Sequence, residues 1–151
     1  MENYEINENT LAVIATDIYQ TKIIEKDKEF VVNKRAYEIM EESCEYYGST
    51  YVGRLKSAQK MLNCSYKLPI LVEESSILIF FPTKSSLVSD CSWINYNCIK
   101  EYNFNPKNSN MVLSLINNTK IELDISKLSL QNQIYKSTQL ESIFRRRNLN
   151  K

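Results

Sequence analysis

The residues in this chain best suited to chemistry are cations and hydroxyls, not a catalytic set. Between Val52 and Lys67 the sequence holds Arg54, Lys56, Lys60 and Lys67 with no acidic residue among them. Ser49, Thr50 and Tyr51 lie immediately ahead. Arginine, lysine, hydroxyls and turn amides are the groups that meet phosphates on nucleic acids. The same stretch also reads as an ordinary solvated surface, and residue types alone leave both readings open. Lys34-Arg35 and Arg145-Arg146-Arg147 are two further basic clusters. The arginine triplet suits a helix C-terminus, where cations complement the dipole, or a phosphate clamp.

Several classes of chemistry are excluded. The 151 residues include no histidine, which removes Ser-His-Asp and Cys-His catalysis and histidine-based metal sites. The carboxylate pairs Glu41/Glu42 and Glu73/Glu74 are sequence neighbours, so their side chains point apart on a helix or strand. No nucleophile has a base, and an enzyme is not expected. Cys44, Cys64, Cys91 and Cys98 form no CxxC pair. They read as free, mostly buried thiols, with no metal or other cofactor expected.

Only two glycines occur, and both fall in one segment, Gly48 and Gly53. A GxGxxG loop is therefore impossible. The GxxxxG spacing is followed by Arg54 and Leu55, where a phosphate loop needs Lys and then Ser or Thr. The glycines read as a helix cap plus a tight turn, or as a close approach by another backbone or ligand. Lys and Arg total 19 against 18 Asp and Glu, a formal charge of +1, so a nucleic-acid site must come from local clustering. No apolar run is long enough for a membrane span. The acidic, polar start MENYEINENT does not look like a signal peptide. The expected location is the cytoplasm.

These side chains must be held by an α+β fold. Thr10 to Ile18 reads as a buried strand, and Thr21–Lys26 with Glu29–Asn33 as a hairpin. Ala36, Met40, Cys44 and Tyr47 share one face of a central helix, about 34–47, with Asn33 as N-cap and Gly48 as a left-handed C-terminal cap. A short second helix is expected at about 54–62. Leu68–Val72 and Ile77–Phe81 read as buried strands, and Thr83–Asp90 as a polar loop. Alternation from Ile94 to Phe104 indicates one half-buried strand. Met111–Ile116 and Lys120–Ile125 pair across Asn117-Asn118. A C-terminal helix is expected at about 130–147, with Leu130, Ile134, Leu140, Ile143 and Phe144 on its core side. Trp93 belongs to the core or its edge. With no repeat and no long linker, residues 1–151 are expected to form a single domain.

The segment Ser43-Cys-Glu-Tyr-Tyr-Gly-Ser-Thr-Tyr-Val-Gly-Arg54 resembles the central signature of the competence transcription factor family, ComK. Ile23-Ile-Glu-Lys-Asp27, Lys67-Leu-Pro-Ile70, Phe80-Phe-Pro-Thr-Lys-Ser-Ser86 and Cys91-Ser-Trp-Ile94 agree with it in order and spacing. The resemblance covers roughly residues 4 to 147. It implies a bacterial activator of DNA-uptake genes. Such a protein binds paired A-run and T-run boxes of double-stranded AT-rich DNA from the minor groove, as a homo-oligomer on the nucleoid. It further implies RNA polymerase and a proteolytic adaptor as partners. Longer members carry an additional C-terminal segment associated with activation and regulated degradation. A narrow A-tract minor groove attracts inserted arginine or lysine. On charge and position, Arg54, Lys56 and Lys60 are the first candidates for that role. Lys34 and Arg35 come second, with Ser49 and Thr50 as hydroxyl donors. The alternative is a shortened paralogue that modulates a full-length activator without binding DNA.

Overall fold

The computed structural model describes residues 2–86 and 88–149. Met1, Leu87, Asn150 and Lys151 lie outside them; they include both ends of the span expected to be one domain and one position of the expected Thr83–Asp90 loop.

Six strands build the larger sheet: β1 (Thr10–Asp17), β2 (Gln20–Glu25), β3 (Glu29–Val32), β4 (Ile70–Glu73), β5 (Leu78–Pro82) and β6 (Trp93–Asn95). Their order is β3-β2-β1-β6-β5-β4, and every pairing is antiparallel. Three strands form a smaller antiparallel sheet in the order β7-β8-β9: β7 (Ile99–Phe104), β8 (Met111–Leu115) and β9 (Lys120–Leu123). Three helices complete the fold, α1 (Ala36–Tyr46), α2 (Tyr51–Leu62) and α3 (Lys127–Leu149).

The larger sheet is covered on both faces. Val13, Ile23, Ile70, Phe80 and Trp93 pack with Ile39, Met40 and Cys44 of α1. Ala12, Ile24, Phe81 and Ile94 point the other way, onto Met111, Leu113 and Leu115 of the smaller sheet and Leu130 of α3. Double coverage explains why β1 and β5 read as continuous apolar runs and not as alternating ones. A third cluster joins Ala58 of α2 to Leu71, Ile79, Leu140 and Phe144. It fixes α2 against the β4–β5 end of the sheet and against α3.

Most strand ends shift from expectation by one or two residues, and four differences say more about the local chain. The helix expected at 34–47 runs Ala36–Tyr46; Arg35, not Asn33, precedes it, in extended backbone with no side-chain cap. The second helix starts at Tyr51, because Thr50 caps it. The third starts at Lys127, where the Ser126 hydroxyl accepts from the Ser129 amide. The strand expected from Ile94 to Phe104 is two strands in two sheets. Asn95 accepts from the Asn97 amide at 3.1 Å and turns Tyr96–Cys98 into one 3-10 turn. The Asn117-Asn118 hairpin forms as expected, with Asn118 at φ 69°.

Candidate nucleic-acid interface

The turn between α1 and α2 uses both glycines, for different reasons. Gly48, just past the end of α1, has φ +83°, which a side chain rarely tolerates. Its amide donates to Glu45 O and the Ser49 amide to Cys44 O, each at 3.0 Å, so two carbonyls of the last turn of α1 are satisfied. Thr50 then opens α2. Its Oγ1 accepts from the Gly53 amide at 2.9 Å. A Cβ on Gly53 would lie 2.9 Å from that same oxygen, so glycine lets the cap close. Thr50 is thus an N-cap, exposed beside the half-buried Ser49.

The expected DNA-contacting cations fall into two groups. Lys56 and Lys60 are exposed on α2, one helical turn apart. Neither makes a hydrogen bond or ion pair among the described residues. Arg54, Lys34 and Arg35 are engaged. The Arg54 side chain is only 14% exposed, and its Nη1 lies 3.1 Å from Glu74 Oε1 in the β4–β5 turn. Its Nε is buried without a partner among the described residues. Lys34 Nζ donates to both oxygens of Glu42, at 2.7 and 2.6 Å, and to Asn3 Oδ1 at 2.9 Å. Arg35 lies 3.9 Å from Glu38, with its guanidinium 5.2 Å from the centre of the Tyr19 ring.

Sequence reasoning missed the acidic turn facing Arg54. Glu73 accepts from the Ser75 hydroxyl and from the Ser75 and Ser76 amides. Partial burial opposes its ionisation. Those hydrogen bonds, with Arg54 nearby, outweigh that and hold its pKa below the ordinary carboxylate value. Tyr47, Arg54, Glu73, Glu74, Ser75 and Asn148 line one cavity of about 400 Å3, so this arginine also lies near the arginine-rich end of α3. There Arg145 is held by Glu141 at 2.7 Å, while Arg146 and Arg147 are exposed and have no ion pair among the described residues.

Other candidates resolve into structure. Trp93 is 1% exposed and meets Tyr51 edge to face, with centroids 6.0 Å apart; it is core. Burial pushes the Cys44 and Cys98 thiols up to about 11, which removes them as nucleophiles near neutral pH. Among the described residues no cluster of three Cys, Asp or Glu side chains is arranged to hold a metal ion. No helix there is long and apolar enough to cross a membrane.

Residues 1–148 match the family described as ComK protein. The chain is 36% identical over 150 residues to the competence transcription factor of Bacillus subtilis (strain 168), covering 97% of this chain and 78% of that relative. No solved structure matches.

Proposed function

The chain belongs to the ComK family, and from that membership we propose that it is a transcription activator of competence genes. On this reading it is one DNA-binding domain, active as a homo-oligomer in the cytoplasm on the nucleoid, and it grips AT-rich duplex DNA through the minor groove. The observation that carries the reading is the Lys56/Lys60 stripe on α2, unpaired among the described residues, three and seven residues after Gly53. These lysines make the first contacts. Arg54 joins them when a phosphate or a narrow minor groove draws it off Glu74. Ser49 and Thr50 donate from the same turn, and Lys34 and Arg35 contribute at the periphery.

The groove assignment has a direct test. Replacing A·T by I·C pairs preserves the minor-groove hydrogen-bonding pattern and changes the major groove. Binding retained on an I·C-substituted duplex supports the reading; binding lost there assigns recognition to the major groove.

One observation favours a second reading. Arg54, Lys34 and Arg35 each have a carboxylate partner within the fold, which leaves few free cations and predicts modest monomer affinity. A paralogue that pairs with a longer activator, and modulates it without touching DNA, has that surface. It would show no duplex preference alone and would co-purify with the longer protein.

A further inference from the structure

A groove of about 300 Å3 separates the C-terminal half of α2 from the middle of α3, and none of the residues proposed for DNA lines it. Met61, Leu62 and Cys64 form one wall; Tyr135, Gln139 and Ile143 form the other. Tyr135 is 64% exposed, so an aromatic side chain stands open at the rim. Among the described residues no carboxylate lines the groove.

Cations stand toward both ends. Lys136 lines the groove toward one end, one turn inside Asn132, and donates to Tyr66 O at 2.7 Å; the Lys67 ammonium lies 5.3 Å from the Tyr66 ring centre. At the other end, Arg146 and Arg147 follow Ile143 by three and four residues, one turn farther along the same face. Both are exposed and have no ion pair among the described residues. The acid on this part of α3, Glu141, is already held by Arg145. From Lys136 to Arg146 the helix rises about 15 Å.

We propose that this groove docks an acidic amphipathic helix of a protein partner. Apolar side chains at helical spacing fill the floor between Met61, Leu62 and Ile143, and carboxylates in the partner's first and last turns meet the two cationic ends. Between those cations the walls are Met61, Leu62, Cys64 and Ile143, which give a continuous phosphate backbone no contact, so DNA fits poorly. A second copy does not supply the ligand either. The acidic helix of this chain is α1, and its apolar residues Ala36, Ile39, Met40 and Cys44 are buried in the core.

The test uses the full chain and a fluorescein-labelled synthetic helix of about fifteen residues, with leucines at i, i+3 and i+7 and glutamates in both end turns. The expected result is saturable binding, at least about tenfold tighter than to a scrambled peptide of equal composition. Ile143→Asp should abolish it. Gln139→Glu, at a polar rim position that spares the core, should weaken it by about tenfold with an unchanged melting temperature. Arg146→Glu with Arg147→Glu should lose the acidic peptide and recover affinity for one carrying lysines in the facing turn. Equal binding of the scrambled peptide, or full binding by Gln139→Glu, overturns the proposal. So does one-for-one displacement of the peptide by duplex DNA, which assigns the surface to nucleic acid. Sedimentation showing self-association that Gln139→Glu abolishes would assign the groove to a second copy.

Discussion

Arg54 in the first turns of α2 lies 3.1 Å from Glu74 in the β4–β5 turn, so the last residue of the family-like signature faces an acid and not open solvent. Glu74 itself is 57% exposed. A pair with one wet partner is weak, on the order of 1 kcal/mol or less, and a polyanion can replace that carboxylate at little cost.

The first expected outcome concerns this pair. Glu74→Gln frees the guanidinium and removes a competing anion, so affinity for an AT-rich duplex should rise about three- to tenfold. The dependence of log K on log salt should steepen by about one contact. Fluorescence anisotropy across a salt series measures both. Unchanged affinity would mean that Arg54 stays out of the interface. Arg54→Ala tests the same site less cleanly, because its largely covered stem also packs. It should lower stability by about 1 kcal/mol while weakening binding.

Lys56 and Lys60 make the opposite case. Neither has a partner to lose among the described residues, so Lys56→Ala and Lys60→Ala should leave the melting temperature nearly unchanged. Each should reduce the salt slope by about one. Thermal unfolding and salt titration together separate this from a structural effect. Two variants with wild-type slopes would remove α2 from the site.

The Thr50–Gly53 cap is expected to be strongly non-additive. Thr50→Ala removes the N-cap and should cost about 1 kcal/mol. Alanine ordinarily favours a helix over glycine by about 1 kcal/mol. Here Gly53→Ala should destabilise, because its Cβ meets Thr50 Oγ1 at 2.9 Å. In the Thr50→Ala background that contact is gone and the same change should stabilise. A double-mutant cycle by denaturant unfolding reads the sign.

Stability should be flat near neutrality and fall in alkali. With no histidine, no imidazole titrates between about pH 6 and 8. Burial raises Cys44 and Cys98 to about 11 and Tyr51 to about 12 in the folded chain. The unfolded values are near 9 and 10. The folded pKa lies above the unfolded one, so this stabilisation is complete below about pH 9 and is lost as pH rises through 11 to 12. Melting temperatures measured from pH 6 to 11 should show a plateau and then a decline beginning near pH 9. A slope inside the plateau would contradict the assignment.

Local patterns made much of the fold legible. Ala36, Met40 and Cys44 marked the buried face of α1, and Asn117-Asn118 marked a hairpin. What was not legible depends on distant partners. The alternation from Ile94 to Phe104 is real, but nothing in it shows that Asn95 turns the chain from one sheet into the other. The polar middle of α3 obscured its inner face. Gln133 is buried and donates to Pro82 O at 2.6 Å, and Ser137 is buried beneath it. The signature segment was equally readable as the turn that opens the basic helix. The covering of Arg54 was not, because Glu74 lies twenty residues away and charge spacing carries no information about it.

The central claim is selective grip on AT-rich duplex DNA by a lysine-bearing helix. Its most direct test is fluorescence anisotropy with two duplexes of equal length, one carrying paired A-run and T-run boxes and one with those runs broken by G·C pairs, at two salt concentrations. The account predicts tighter binding to the paired boxes, with affinity falling as salt rises. Equal, weak binding to both duplexes would contradict it.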